Sequence, residues 1–467
     1  MHNFNRRDFF KINFASLLSL PFGLSFSKTA SSSLNSPREL SSPLNSIKGN
    51  KDTSHFGYMP IASSFLKKKE LKQIVGNYIP DFKTLGGQQW NSKMITDPAP
   101  LFYFVITGGT EQEILNLRAK RIKYAPAEPV FLIAHPGNNS LPAALEVLGR
   151  LQQDGQKGHI FYLKGPGDEV ALQQIQSAVF GLEVKYALQE SRIGLVGKPS
   201  DWLVASSPNL TTVQKQWGPE VIPIELSELY QLIKTVSKKE IEPILESLVS
   251  EAVKLKEPSQ VELEDAVRVY LAMKQLIAKY NLNSITIRCF DLVINRKATG
   301  CFALAQLNDE GIIAGCEGDL VSTTGMLFVN KLTKQDSWMA NPVQIDTEPN
   351  TFWLAHCTVG RKIVKEYQLR SHFETGLSVG IQGKFQTGPV TLLRIGGKSM
   401  DKIWIAEGEI LQTGNAENLC RTQVKIQLTH GGNVKDLLQS PLGNHIIMVQ
   451  GNYAEGIRSW WEAMIQV

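Results

Sequence analysis

The stretch "LFYFVITGGTEQEILNLRAKRI", from Leu101 to Ile122, contains the repeating unit on which the predicted fold rests. A short apolar run predicts a buried strand, the Gly-Gly pair predicts a turn, and the residues after it have the pattern of an amphipathic helix. The same order recurs from Pro129 and again from Lys157. Short apolar strands that alternate with helices indicate a parallel sheet with helices on both faces.

A second series of strands and helices begins at "SRIGLVGKPSDWLVAS", near Arg192, and continues to the strand "SITIRCF". We therefore predict an α/β protein with two tandem Rossmann-like parallel-sheet domains, at residues 71–190 and 191–340. The last third differs, since its apolar runs are short and separated by Gly, Asn and Pro. This pattern predicts a C-terminal antiparallel β-rich, barrel-like domain at residues 341–467.

The composition excludes some classes of function. The chain has 467 residues, of which 42% are hydrophobic and 20% charged, and its net charge is +5. Its basic residues are scattered among acidic ones, which argues against nucleic-acid binding. Its five cysteines have no CxxC spacing, so we expect mostly buried thiols, with a disulfide pair or a Cys-rich metal site as alternatives. These cysteines are Cys289, Cys301, Cys316, Cys357 and Cys420.

The N-terminal residues have the pattern of an export signal. A basic opening and a moderately apolar run predict a signal peptide over residues 1–30, too short and too polar for a membrane span. The Arg6-Arg7 pair resembles a twin-arginine signal, and an ordinary secretory signal is the alternative. We therefore expect a periplasmic or extracellular protein, exported by the twin-arginine machinery without stable membrane insertion. Residues 31–70 are predicted to be a flexible spacer.

Two glycine turns follow predicted strands, in "ITGGTEQE" and in "LVGKPSDW". Neither completes the GxGxxG or GxxxxGKS pattern that binds nucleotide phosphates. We therefore expect tight turns into helices at both places and no nucleotide cofactor.

Acidic residues and histidines accumulate after residue 315, where several predicted strands end. Carboxylates and imidazoles in such places can bind a divalent ion and leave positions open for substrate oxygens. Each residue also has a plainer interpretation: Asp319 is well placed to cap the helix that follows it, and His372 with Glu374 can form a surface pair. The set comprises Glu317, Asp319, Asp346, Glu348, His356, His372, Glu374 and His445.

Four segments resemble the fucose isomerase and arabinose isomerase superfamily, in particular its shorter fucose isomerase-like members. The resemblance covers most of the chain from about residue 75 onward. It implies two Rossmann-like domains followed by a C-terminal β domain, in agreement with the pattern above. The segments are "CFALAQLNDEGIIAGCEGDLVSTTGMLFVNKLT", "VQIDTEPNTFWLAHC", "HFETGLSVGIQGKFQTGPVTLLRI" and "LGNHIIMVQGNY".

The resemblance implies a role for individual residues. Glu317 matches the first metal-binding and catalytic carboxylate, and Asp346 matches the second. His445 matches the late metal-binding histidine, and His356 resembles the further histidine ligand of arabinose isomerases. His372 and Glu374 match no ligand of the family. We expect these last two to contact the substrate or to close the pocket.

These roles imply a metal-dependent aldose-ketose isomerase acting on a monosaccharide. Such an enzyme moves a proton between C2 and C1 through an enediol, and a divalent ion stabilises the developing charge. The expected ion is Mn²⁺, with Mg²⁺ or Co²⁺ as alternatives. The resemblance also implies a homotrimer or homohexamer. The alternatives are a related sugar epimerase and an exported sugar-binding protein without turnover.

Overall fold

The structure, a computed structural model, describes residues 55–126 and 128–465. The signal peptide predicted for residues 1–30 and the spacer as far as residue 54 lie outside these ranges. Within them, no helix has the length and apolar character that a membrane crossing requires.

The first sheet contains strands β1 (Phe56–Ile61), β2 (Gly87–Gln89), β3 (Leu101–Val105), β4 (Val130–Ala134) and β5 (Gly158–Tyr162). All pairings are parallel, in the order β2-β1-β3-β4-β5. Strand β1 corrects the predicted spacer of residues 31–70, because its apolar residues "FGYMPI" are almost all buried beside β3. The accompanying helices are α1 (Lys68–Thr84), α2 (Glu111–Arg121), α3 (Ser140–Gln153) and α4 (Glu169–Gln189).

The second sheet is also parallel, with strand order β10-β9-β6-β7. Its strands are β6 (Arg192–Val196), β7 (Glu220–Ile224), β9 (Ser284–Ile287) and β10 (Ile313–Gly315), while β8 (Lys254–Leu255) belongs to a separate small sheet. The helices of this region are α5 (Leu210–Trp217), α6 (Leu226–Thr235), α7 (Lys238–Ser250), α8 (Gln260–Tyr280), α9 (Cys289–Arg296), α10 (Cys301–Asp309) and α11 (Leu320–Thr333).

The C-terminal third forms a closed antiparallel barrel with strand order β11-β12-β17-β16-β15-β18. Together with the two parallel sheets it confirms the predicted fold class. The barrel strands are β11 (Ser337–Asp346), β12 (Thr351–His356), β15 (Gly388–Gly396), β16 (Lys402–Thr413), β17 (Thr422–His430) and β18 (Ile446–Gln450). Strands β13 (Glu366–Arg370) and β14 (Gly380–Lys384) join β8 in the small sheet, and the last helices are α12 (Val434–Gln439) and α13 (Ala454–Met464).

Helix α11 connects the second sheet to the barrel. Twelve of its residues are buried. At Gly325 the helix approaches the barrel so closely that an added Cβ would lie 2.4 Å from the side chain of Ile447 on β18. The four residues before this helix, Cys316 to Asp319, therefore lie where the edge of the second sheet meets the barrel.

Candidate metal and active site

The turn between β10 and α11 holds Glu317 in an unusual backbone conformation. Glu317 has φ of 62°, in the left-handed region that costs a residue with a side chain about 1–3 kcal/mol. Ser200 N–H donates to the Glu317 carbonyl oxygen at 2.9 Å. The next residue, Gly318, has φ of 72°, and an added Cβ would lie 2.8 Å from the carbonyl oxygen of Lys198. The loop after β6 thus fixes the turn that directs the Glu317 side chain.

Three side chains from different parts of the chain converge at this turn. They are Glu317, His356 at the end of β12, and His445 just before β18; we call them the ligand triad. One possible ligand atom of each lies within 4.8 Å of those of the other two. Both histidines are buried, and the Glu317 side chain is 12% exposed. A cluster of this size can surround a single metal ion.

The second nitrogen of each histidine is used to orient its ring. His445 Nδ1 lies 2.8 Å from a carboxylate oxygen of Asp319, and His356 Nδ1 lies 2.9 Å from Thr358 Oγ1. Among the described residues, His445 Nε2 has no hydrogen-bond partner, although it is buried and 3.7 Å from Glu317 Oε1. A buried imidazole that is tied to a carboxylate through one nitrogen and unpaired at the other is typical of a metal ligand.

Asp319 has two roles. It caps helix α11, accepting from Ser322 N–H at 2.8 Å, which confirms the predicted cap. It also orients His445, which the sequence did not reveal. The guanidinium of Arg394 lies 3.5 Å from the Asp319 carboxylate and donates to the carbonyl oxygen of His445 at 3.1 Å. The positive charge of the buried Arg394 offsets the negative charge of Asp319, so the carboxylate can stay ionised away from solvent.

Charges within the ligand triad favour a cation. Burial alone would lower the pKa of His445, but the carboxylates of Asp319 and Glu317 outweigh burial and raise it to about 9. Burial, reinforced by His445, lowers the pKa of His356 to about 4. Burial would raise the pKa of Glu317, yet the histidines and a hydrogen bond from Trp202 keep it below its ordinary value. A proton on His445 would therefore compete with a metal ion for the same place.

The donor set fits a borderline divalent ion. One carboxylate and two imidazoles suit Mn²⁺, Fe²⁺, Co²⁺ or Zn²⁺ better than Mg²⁺, which prefers oxygen ligands. Three protein ligands also leave coordination positions open for substrate oxygens. The triad contains less oxygen than the predicted set, and this weakens the alternative of Mg²⁺.

Part of the triad faces a pocket that is partly open to solvent. Glu317 and His356 line it together with Asn341, His372 and Glu374. The five cysteines also line it, and we call them the thiol wall: Cys289, Cys301, Cys316, Cys357 and Cys420. All five are free thiols and all except Cys420 are buried, as the sequence predicted.

Asp346 does not join the triad. It is exposed at the far end of β11, where it pairs with Thr351 across the β11–β12 hairpin. The residue of this strand that lines the pocket is Asn341, five residues earlier, which corresponds to about 17 Å of extended chain. Because His356 lies at the opposite end of β12 from Thr351, the hairpin keeps Asp346 away from it. The structure thus corrects the predicted placement of the second carboxylate.

Trp202 contacts the site and was missed by sequence reasoning. Its Nε1 donates to Glu317 Oε2 at 2.6 Å, and its ring packs edge-on against Phe290 with centroids 5.0 Å apart. Half of the tryptophan side chain is nevertheless exposed. No local pattern in "KPSDWL" indicates this contact, because Trp202 and Glu317 are 115 residues apart.

Similarity to known proteins points to sugar isomerases. The chain is 22% identical over 334 residues to the sulfoquinovose isomerase of Alkalicoccus urumqiensis, covering 67% of this chain and 75% of that protein. It is 21% identical over 304 residues to the sulfoquinovose isomerase of Clostridium sp. strain MSTE9, covering 62% and 66%. A third relative of the same name, from Priestia aryabhattai, is 21% identical over 308 residues, covering 63% and 68%.

No protein-family model matches the chain. Among solved structures, D-threo-3-hydroxyaspartate dehydratase from Delftia sp. HT23 aligns over 86% of this chain and 85% of its own. That alignment has 8% identity and a TM-score of 0.13, which is too low to support a shared fold. The findings therefore support distant kinship with enzymes that isomerise a modified sugar.

Proposed function

We propose that the protein is a metal-dependent aldose-ketose isomerase that acts on a free modified sugar of the sulfoquinovose type. The observation that carries the proposal is the Nε2 of the buried His445, which has no partner among the described residues and lies 3.7 Å from Glu317 Oε1, in a triad of which Glu317 and His356 line a pocket. The similarity to proteins named sulfoquinovose isomerase supports the reaction class and the kind of substrate.

Glu317, His356 and His445 would hold the metal ion, which we propose to be Mn²⁺. When bound, such an ion supplies positive charge that binds neighbouring sugar oxygens and stabilises enediolate charge. His445 would bind through Nε2, because Asp319 occupies Nδ1. His356 would bind through Nε2 as well, because its Nδ1 faces Thr358.

We assign to Glu317 the transfer of the carbon-bound proton from C2 to C1. Of the described residues, Glu317 is the carboxylate that belongs to the triad and also lines the pocket. One of its oxygens accepts from Trp202, which restricts rotation of the carboxylate. A carboxylate held in this way can accept the proton from C2 and return it to C1, which converts an aldose to a ketose.

The test is a proton-exchange assay with purified protein in deuterium oxide. Sulfoquinovose and its unsulfonated counterpart are incubated with Mn²⁺, and NMR follows deuterium at C2 of the aldose and C1 of the ketose. We expect ketose formation that requires the metal and that Glu317→Gln abolishes. Binding of these sugars without exchange or ketose formation would instead identify a binding protein.

We propose that the chain is exported by the twin-arginine pathway to the periplasm and that it forms a homotrimer or homohexamer. Cell fractionation with wild-type protein and an Arg6→Lys/Arg7→Lys variant tests export. Light scattering of the purified protein tests the assembly, and a monomeric mass would contradict it.

A further inference from the structure

We propose that His372 is the second proton-transfer residue of the reaction and that Thr375 positions its ring. This inference rests on the proposed isomerase function. It assigns to His372 the hydroxyl protons of the substrate, while Glu317 handles the carbon-bound proton.

The chemistry requires a second group because isomerisation moves two protons. One goes from C2 to C1, and the other goes from the hydroxyl on C2 to the oxygen on C1. The carboxylates Asp319 and Asp346 do not serve this purpose. Asp319 is fully buried and bonded to His445 and Ser322, and Asp346 lies at the far end of its hairpin.

His372 lies on a closed turn between β13 and β14. Its N–H donates to the Leu377 carbonyl at 3.0 Å, and its own carbonyl accepts from Gly376 N–H at 2.8 Å. Just before the turn, the Ser371 carbonyl accepts from the buried Arg421 at 2.8 Å. The backbone that presents His372 to the pocket is therefore fixed at both ends.

The imidazole is also oriented. His372 Nδ1 lies 3.2 Å from Thr375 Oγ1, and the ring packs edge-on against Phe290 with centroids 5.7 Å apart. The residue is 8% exposed and lines the pocket. With Nδ1 directed at Thr375, the nitrogen that remains for a substrate oxygen is Nε2. The titratable groups that share the pocket with it are Glu317, His356, Glu374 and the thiol wall.

A hydroxyl partner suits a histidine that gains and loses a proton. In the tautomer that carries its proton on Nδ1, the ring donates to Thr375 Oγ1 both when neutral and as the imidazolium, so it need not turn. Nε2 accepts the proton from the hydroxyl on C2 and then donates it to the oxygen on C1. With Glu317 moving the other proton from C2 to C1, the C1 carbonyl becomes a hydroxyl, C2 becomes the carbonyl, and both residues regain their starting state.

Glu374 is the main competitor for this role. It lies on the same turn and lines the same pocket, but its carboxylate is exposed and has no hydrogen-bond partner among the described residues. His372 is buried and oriented by two neighbours. A residue that is already oriented is better suited to a proton transfer whose rate depends on geometry.

The experiment compares full-length variants in the isomerase assay. We expect His372→Ala to lower kcat about 100-fold, with KM and Mn²⁺ affinity little changed, and added imidazole to restore at least a tenth of the activity. We expect Thr375→Val to lower kcat about 10-fold and Thr375→Ser to restore it. His430→Gln, on an exposed histidine at the end of β17, is the matched control and should keep wild-type kcat.

The possible outcomes are distinct. An active wild type with unchanged kcat in His372→Ala would overturn this inference and leave the proposed function intact. A folded but inactive His372→Ala variant whose activity imidazole does not restore would also overturn this inference. The same holds if Glu374→Gln loses activity and His372→Ala does not. A wild type that forms no ketose would overturn the proposed function, and this inference with it. Thermal unfolding identifies misfolded variants. If His372→Ala misfolds, the comparison of kcat between Thr375→Val and Thr375→Ser tests the inference instead.

Discussion

Two buried histidines, His135 beside the first sheet and His445 beside the barrel, show how a structural residue differs from a functional one. His135 follows β4 of the first sheet, and both of its ring nitrogens lie 3.1 Å from backbone carbonyl oxygens, those of Pro136 and Ile106. His445 bonds to Asp319 through one nitrogen and leaves the other unpaired among the described residues. Both are buried, so their bonding partners, rather than burial, distinguish their roles.

The surrounding groups extend this contrast. The ring of His135 lies among Tyr78 and Phe104, with centroids 6.0 and 5.9 Å away. His445 instead faces Glu317, His356 and a buried carboxylate. An unpaired buried nitrogen costs free energy, about 1–3 kcal/mol, unless a ligand satisfies it. Both nitrogens of His135 therefore face backbone atoms of the protein itself, while Nε2 of His445 faces a site that an added ligand can fill.

The largest expected effect comes from Glu317→Gln. Removing the charge takes away both the proposed metal ligand and the proposed base that accepts the proton from C2, so we expect turnover to fall at least about 1,000-fold. Steady-state assays with saturating Mn²⁺ measure this loss, and circular dichroism checks the fold. If the variant keeps more than a tenth of wild-type turnover, Glu317 is not the base.

Asp319→Asn should have the next largest effect on function. An amide holds the His445 ring less firmly, so we expect Mn²⁺ affinity to fall about 10- to 100-fold. It also leaves the buried Arg394 without its counter-charge, which lowers the free energy of unfolding by about 3 kcal/mol. Metal titration monitored by activity tests the first effect. An unchanged Mn²⁺ affinity would show that Asp319 is a helix cap alone.

His135→Gln should affect stability and leave the metal site unchanged. The substitution disturbs a buried ring whose two nitrogens lie beside backbone carbonyl oxygens, so we expect a loss of about 1–3 kcal/mol in the free energy of unfolding. Urea denaturation measures the loss, and metal titration provides the comparison with Asp319→Asn. A drop in Mn²⁺ affinity here would break the contrast between the two histidines.

Asp346→Asn should have the smallest effect. Asp346 is exposed at the hairpin turn. We therefore expect turnover and Mn²⁺ affinity to stay within about two-fold of wild type, and the free energy of unfolding within about 0.5 kcal/mol. The same assays measure it beside Glu317→Gln. A large loss of turnover would return Asp346 to the catalytic role that the sequence predicted.

Local patterns predicted much of the architecture. The alternation of apolar strands and amphipathic helices gave both parallel sheets, since such strands are buried by their helices wherever they lie. The short β-rich runs gave the barrel. The exception is β1. Its six residues "FGYMPI" directly follow a polar stretch, so the predicted spacer of residues 31–70 includes them.

The candidate site depended on information that is not local. Glu317, His356 and His445 stand at element ends, where the sequence places them. Asp346 also stands at an element end, but at the hairpin turn, five residues along the strand from Asn341, which lines the pocket. Which end faces the pocket depends on how the barrel strands pair, and sequence spacing does not determine that. Asp319 was missed as a partner of His445 because the two are 126 residues apart.

The most direct test of the central claim is anomalous X-ray diffraction from crystals of the protein soaked with Mn²⁺. We predict one strong anomalous peak within about 2.5 Å of a Glu317 oxygen, His356 Nε2 and His445 Nε2. A Mn²⁺ peak elsewhere, or Mn²⁺-soaked crystals with no anomalous peak at the triad, would contradict the account.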